Sequence, residues 1–284
     1  MKEKLTAIDL RPLPSTYVTA LESANREKWF IDFKYPILDA LTFKEEGENE
    51  TKKLDFKDIE SAIKFFTRIL EDVPAGLING VRVYFASPSI DGTVTTGKCG
   101  KLTLIFVATA GISGADVASA YYSFKDGDFV PIAEDLAREW VHNYQNIKRP
   151  MLFKTLSDQD ITDRSKETKH IYFSYDQFND TLEEMVYQNK NHGNIVKGFG
   201  IRFTSYTNQN YQVGHSKPIK HRRRMTIGFT FIDNNGNDIG IQDINPIEFN
   251  ERVAIKFVDD TMDSGDPTPP PPTNNGENLD VGPE

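Results

Sequence analysis

Two nine-residue stretches, NGVRVYFAS at 79–87 and KGFGIRFTS at 197–205, determine how this sequence is organised. The glycines Gly80 and Gly198 begin the match and lie 118 residues apart. The residues shared at the same positions are Gly80/Gly198, Phe85/Phe203 and Ser87/Ser205. Because apolar and polar residues alternate after each glycine, both stretches are predicted to be β-strands. Together they indicate an internal repeat.

The elements around each stretch recur in the same order. An apolar stripe at three- and four-residue spacing predicts a helix before each strand, and a second strand is predicted after it. Asp58 and Asp176 suit the N-caps or first turns of these helices. The first copy has LDF at 54–56, a helix with Ile59, Ile63, Phe66 and Leu70, and a second strand at 101–109. The second copy has HIYFSY at 170–175, a helix with Phe178, Leu182, Met185 and Val186, and a second strand at 224–232.

A further helix is predicted upstream in each copy, at 14–29 and at 131–145, and each begins on a proline suited to a first helical turn. We therefore predict an α+β fold, a tandem duplication of a helix–strand–helix–β-hairpin unit. Antiparallel sheets are covered by helices, and the units are related by a pseudo-two-fold axis. The predicted units are residues 1–125 and 126–262, and RVAIKFV at 252–258 is predicted to close the second sheet.

The last 22 residues, 263–284, have a different composition. They contain six prolines and five acids but no lysine or arginine, so more than half of the formal net charge of −9 lies there. Such a segment cannot bury enough apolar surface to offset its ordering entropy. We predict a disordered acidic, proline-rich tail.

The whole-chain composition limits the class of protein. With 284 residues, 38% hydrophobic and 26% charged, the chain is expected to fold around a buried core. No apolar run approaches the ~18 residues of a membrane span, and the N-terminus has no apolar signal core. The single cysteine, Cys99, excludes a disulfide framework. A cytoplasmic protein with no membrane partner is predicted.

Catalytic motifs fit this sequence poorly. Gly92–Cys99 has P-loop spacing, but Cys99 stands where the magnesium-binding Ser or Thr belongs, and a strand follows instead of a helix. Lys98 and Lys101 are expected to lower the pKa of the Cys99 thiol, whose role stays open. The five histidines lack metal-ligand spacing, and Asn235-Gly236 predicts a type I′ hairpin turn rather than a calcium loop. We predict no catalytic residue, cofactor or metal.

Charge patterning gives the one candidate site. Residues 185–232 contain no Asp or Glu but eight Lys and Arg, five of them within 217–224. Arg222–Arg224 are predicted to lead directly into a strand, so their side chains are expected to alternate between its two faces. The nearby Tyr206 and Tyr211 are suited to stacking on the bases of single-stranded nucleic acid. A charged strand edge that prevents aggregation explains the pattern equally well. The candidate contact residues are Lys217, Lys220, His221, Arg222, Arg223, Arg224, Tyr206 and Tyr211.

We call residues 215–224, HSKPIKHRRR, the cationic loop. These observations predict a non-enzymatic binding or assembly protein that contacts an acidic partner, or another copy of itself, through the cationic loop and the strand edge beside it. The alternatives are phosphate or single-stranded nucleic-acid binding through the same residues, and an enzyme with a site in the cleft between the units. The acid-leaning stretch 44–60 is predicted to be a solvated loop running into a helix. It is a further possible partner for the cationic loop, within one chain or between chains.

Overall fold

The computed structural model describes residues 13–14, 17–43, 48–73, 77–90, 97–110, 114–152, 155–156, 167–207 and 223–250. The predicted tail and the predicted closing strand at 252–258 lie outside these residues. The helices are α1 (Ala20–Trp29), α2 (Tyr35–Ala40), α3 (Ile59–Glu71), α4 (Glu134–Asn143), α5 (Arg149–Leu152), α6 (Tyr175–His192) and α7 (Ile241–Ile244). The strands are β1 (Lys53–Asp55), β2 (Ile78–Ala86), β3 (Thr103–Ala110), β4 (Ala115–Lys125), β5 (Asp128–Ile132), β6 (His170–Ser174), β7 (Val196–Ser205), β8 (Met225–Asp233) and β9 (Asp238–Ile239).

The strands form two sheets in which every described pairing is antiparallel. The first sheet has the order β5-β4-β3-β2-β6, and the second has the order β1-β7-β8-β9. Helices and sheets are both extensive, which confirms the predicted α+β class. The strands predicted around Gly80 and Gly198 are confirmed as β2 and β7, and each forms a hairpin with the next strand.

Each sheet takes one edge strand from the other half of the sequence. Strand β1 pairs with β7, with Leu54 opposite Ile201. Strand β6 pairs with β2, with Ile171 opposite Val83. The β4–β5 hairpin also crosses the predicted unit boundary between residues 125 and 126. The two halves are therefore joined by main-chain hydrogen bonds in both sheets.

Helices α3 and α6 pack on each other through a buried aromatic contact, because their apolar stripes, apart from the exposed Val186, face the shared core. Phe66 stacks on Phe178 with a ring separation of 4.3 Å. Asp58 caps α3 by accepting from the amide of Ser61, as predicted. The N-cap of α6 is Ser174, and Asp176 lies in its first turn.

Two local predictions are wrong. Pro131 lies in β5 and Pro14 lies before the N-cap Thr19, so neither proline starts a helix. The turn after β8 has positive φ only at Gly236, whereas a type I′ turn needs it at both central residues. The carboxylate of Asp233 accepts the amides of Asn235 and Asn237, and these bonds stabilise the observed turn.

Candidate binding surface

Polar side chains lie on the outer face of the second sheet. On β7, Phe199, Ile201 and Phe203 point into the core, so Arg202 and Thr204 lie on the opposite face. Helix α1 packs against β7. In the first sheet, the side chains under α4 form an apolar cluster of Tyr84, Ala86, Ile105, Val107, Tyr121, Ala137 and Val141.

A cavity of about 420 Å³ lies under α1 on this polar face. It is lined by residues of α1 and the segment before it, of α6 and α7, and of β6 to β9, among them Tyr17, Thr204, Gly228 and Gln242. The Thr204 hydroxyl is buried and has no hydrogen-bond partner. The walls therefore combine residues from the first and second halves of the sequence.

Arg202 joins three strands of the second sheet across this face. Its guanidinium pairs with Asp55 of β1 and with Asp238 of β9. These ion pairs raise the pKa of Arg202, although burial acts in the opposite direction. Asp55 belongs to the acid-leaning stretch 44–60, but Arg202 lies in β7 and not in the cationic loop, so the pairing of that stretch with the loop stays a prediction.

The cationic loop lies in the connection between β7 and β8, and the structure describes only the two ends of that connection, residues 206–207 and 223–224. Of the predicted contact residues, Lys217, Lys220, His221, Arg222 and Tyr211 lie outside the described residues. Tyr206 and Arg224 are linked by a backbone bond of 3.0 Å, and the amide of Arg223 donates to the carbonyl of Tyr206 over 3.0 Å. Arg223 has a φ of 61°, and β8 begins only at Met225. The predicted strand alternation is therefore wrong at Arg223 and Arg224, which precede β8, and Arg222 lies outside the described residues.

Both ends of this connection make cation–aromatic contacts with α1. The guanidinium of Arg223 lies 5.1 Å from the ring centre of Trp29, and Trp29 packs on Phe33 at 4.2 Å. On the other side of the loop base, Arg26 lies 4.7 Å from the ring of Tyr206. Phe33 is 45% exposed, although it is a large apolar side chain. We call Trp29, Phe33, Tyr206 and Arg223 the Trp29 surface.

A buried ion pair lies beneath this surface. Lys34 ends a π-helical segment, Phe30–Lys34, that continues α1, and its ammonium pairs with Glu167. The other carboxylate oxygen of Glu167 accepts from the amides of Met225 and Thr168 at 2.7 and 3.0 Å. Burial lowers the pKa of Lys34, and the nearby cations Arg223 and Arg224 add to this while Glu167 opposes it.

A second ion pair has the same arrangement. Lys148 ends the π-helical segment Tyr144–Lys148 and pairs with Glu50. Glu50 accepts from the amides of Leu102 and Thr51 at 2.6 and 2.7 Å. The prediction that stretch 44–60 is a solvated loop is thus wrong at Glu50, which is buried because its carboxylate satisfies these donors.

The sequence reasoning missed both lysines, although a signal for them is present. KYPIL at 34–38 is matched 114 residues later by KRPML at 148–152, with lysine, proline and leucine in register. The corresponding glutamates precede β1 and β6 by three residues each.

Cys99 is buried and its backbone bonds to Phe43 and Leu41. Burial raises the pKa of its thiol, so the expected lowering by Lys98 and Lys101 is wrong. Residues 92–96 of the P-loop-like segment lie outside the described part of the chain. Among the described residues, no group of His, Cys, Asp or Glu side chains is arranged to hold a metal ion.

None of the helices in the described ranges combines the length and apolarity needed to cross a membrane. Comparison of the chain with protein-family models, with curated proteins and with solved structures gave no match.

Proposed function

We propose that this chain is a non-enzymatic binding or assembly protein that holds an acidic partner, or another copy of itself, at the Trp29 surface and the cationic loop. The contact of Arg223 with Trp29 at the base of the loop carries this proposal. An arginine over an aromatic face keeps its charge available at the surface while its stem stays ordered.

The charge around the loop favours an acidic partner. Five cations lie within residues 217–224, and no acid occurs between 185 and 232. Charge complementarity of this kind accelerates association and selects the partner more than it adds affinity. The predicted acidic tail carries five acids and is a tethered competitor for the same cations.

Single-stranded nucleic acid is the second candidate partner, because exposed aromatic side chains adjoin the cations. Stacking on such side chains contributes about 1–3 kcal/mol per base. Phe33 and Trp29 offer one platform and Tyr206 offers another. The acidic pI of about 5.2 argues for a protein partner first.

We further propose that the chain arose by tandem duplication and acts in the cytoplasm. The order strand–helix–strand–strand occurs twice, as β1-α3-β2-β3 and as β6-α6-β7-β8. Two lysines that end π-helical segments, Lys34 and Lys148, pair with glutamates of the opposite half. Only the second half carries the cationic loop, so divergence of the copies is the proposed origin of the binding surface.

Light scattering after size-exclusion chromatography tests the proposal, at low and at high salt, with ultraviolet absorbance recorded. A salt-sensitive oligomer without nucleic acid supports assembly through complementary charge. A monomer with co-purified nucleic acid supports the second candidate. A bare monomer at both salts, which does not bind polyglutamate or oligo(dT), contradicts both and directs attention to an enzyme site in the cavity under α1.

Variants show whether the surface itself is responsible. Arg223→Glu and Trp29→Ala are expected to weaken partner binding at low salt by about tenfold, from the loss of about 1 kcal/mol or more of cation–aromatic and charge interaction. Lys125→Glu and Tyr175→Ala are the matched controls, because both residues are exposed and belong to other elements. Equal effects of the surface and control variants would contradict the assignment.

A further inference from the structure

The cavity under α1 follows two strand edges. Strand β8 pairs with β7 along its length, but within the described residues its other edge pairs only with β9, at Phe231 and Ile232. Strand β6 likewise pairs with β2 alone among the described strands. Consecutive residues of both strands, 171–173 and 226–231, line the cavity. Because residues from both faces of β8 line the cavity, the cavity includes the edge of β8 that faces away from β7. We call this cavity the β6–β8 groove.

In the first sheet the corresponding edge is covered. Strand β3 pairs with β4 at Ile105, Phe106 and Val107, and β4 pairs with β5. Phe129 of β5 stacks on Phe65 of α3 at 4.5 Å. The tip of this hairpin contacts the segment between β1 and α3, since the carbonyl of Gly127 accepts from the amide of Lys57 over 2.8 Å. A hairpin thus covers this edge of the first sheet, whereas in the second sheet the described residues supply only the two-residue strand β9.

The groove is built for an extended segment with one apolar face. The edge residues of β8 present backbone donors and acceptors, which are costly to bury without partners. Phe173, Phe229 and Ile241 provide apolar walls. Four acids and two arginines line the groove, so the balance of charge favours a cationic occupant. These residues are Glu27, Glu184, Asp238, Asp243, Arg26 and Arg202.

We propose that residues 252–258, RVAIKFV, occupy the β6–β8 groove as a strand along β8. The described chain ends at Asn250, after a helical segment at 246–250 whose Phe249 lies 5.8 Å from the ring of Tyr17. Tyr17 lines the groove, so the next residues begin beside it. Seven extended residues span about 23 Å, enough to cover Thr226–Phe231.

The sequence of the segment matches both requirements of the groove. Val253, Ile255 and Phe257 alternate with the residues between them and give one apolar face. Arg252 and Lys256 lie on the other face and complement the acids of the lining. The interaction does not depend on the proposed function, because it uses the strand edge rather than the cationic loop.

Hydrogen exchange measured on the full chain tests this proposal, together with light scattering. In the unaltered protein, every second amide of Thr226–Thr230 faces the groove and is expected to exchange slowly. Val253→Asp should accelerate this exchange at least tenfold and lower the thermal midpoint. Val281→Asp, the same change in the predicted tail, should alter neither.

Three results would overturn the assignment. The first is fast exchange along β8 in the unaltered protein. The second is equal behaviour of the Val253→Asp and Val281→Asp proteins. The third is protection that appears only in a dimer, because the occupant would then be a second copy. Where Val253→Asp prevents folding, Val253→Ala makes the same comparison with a milder change.

Discussion

The ammonium of Lys34 and the carboxylate of Glu167 form an ion pair whose two side chains are each only 1% exposed. Lys34 belongs to the helical segment of the first half, and Glu167 lies three residues before β6 of the second half. Since β6 completes the sheet that contains β2, this pair fixes the point at which the chain crosses between the halves. Lys148 and Glu50 do the same in the opposite direction.

Removing one member of this pair should be far more destabilising than removing both. Lys34→Met leaves the Glu167 carboxylate buried without its cation, and we expect a loss of about 3–5 kcal/mol in the free energy of unfolding. The double variant Lys34→Met/Glu167→Gln should recover most of this loss, because no charge remains buried and the amide oxygen of the glutamine can still accept from the amides of Met225 and Thr168. Urea unfolding of the two single variants and the double variant measures the coupling. Additive losses would show that the pair contributes nothing beyond its separate side chains.

Phe178 on α6 should contribute much more stability than Val186 on the same helix. Phe178 is fully buried against Phe66, so Phe178→Ala leaves a cavity and should cost about 3–5 kcal/mol. Val186 is 45% exposed, and Val186→Ala should change stability by about 0.5 kcal/mol or less. Chemical denaturation of both variants checks the prediction. Similar costs would contradict the packing of α3 on α6.

Gly80 and Gly198 match in the sequence but should differ in their tolerance of alanine. A Cβ on Gly80 would collide with the carbonyl of Phe173 and lie 2.6 Å from the ring of Tyr172. We expect Gly80→Ala to cost about 3 kcal/mol and to loosen β6. At Gly198 the nearest atom is a side-chain carbon of Ile232 at 3.1 Å, so Gly198→Ala should cost about 1 kcal/mol. Thermal unfolding with hydrogen exchange at β6 compares them, and the reverse order would count against the β2–β6 register.

Ionisation of Tyr122 should lower the free energy of unfolding in alkaline solution. Burial, followed by the hydrogen bond to Asp72 at 2.9 Å, raises the pKa of Tyr122 from 10.0 to about 12. The folded state therefore retains a proton that the unfolded chain releases, so this stabilisation is complete below pH 10 and is lost as the pH rises towards 12. The free-energy difference between the unaltered protein and Tyr122→Phe should shrink across that interval. Urea unfolding at several pH values measures it, and a constant difference would exclude this titration.

Helices α3 and α6 and the β2–β3 and β7–β8 hairpins were predictable from the sequence because their signals are local, whereas the β4–β5 hairpin was missed. The apolar stripe of α3 and the alternation in β2 and β7 are each visible within a single stretch of 9 to 13 residues, without reference to the rest of the chain. The exchange of β1 and β6 between the sheets was not predictable. Strands β1 and β6 are only three and five residues long, and the residue pattern of each fits the edge of either hairpin. Only the three-dimensional positions of Lys34, Lys148 and their glutamates select the partner of each strand.

The candidate site was predictable only in part, for a physical reason. A loop rich in cations and free of acids is visible as composition, and Tyr206 and Arg223 were identified in this way. Trp29 and Phe33 were missed because they lie nearly 200 residues away and belong to a helix with a weak apolar stripe. Contacts of one side chain with another leave no periodic trace in the sequence.

The most direct test of the Trp29 surface is the fluorescence of Trp29 itself. The chain has only two tryptophans, so Trp140→Phe leaves Trp29 as the sole reporter. This protein is titrated with polyglutamate and, separately, with oligo(dT), at low and at high salt. We predict a saturable change at low salt that high salt abolishes and that Arg223→Glu removes. An unchanged signal with both probes, or a change that persists in Arg223→Glu, would contradict the proposed binding surface.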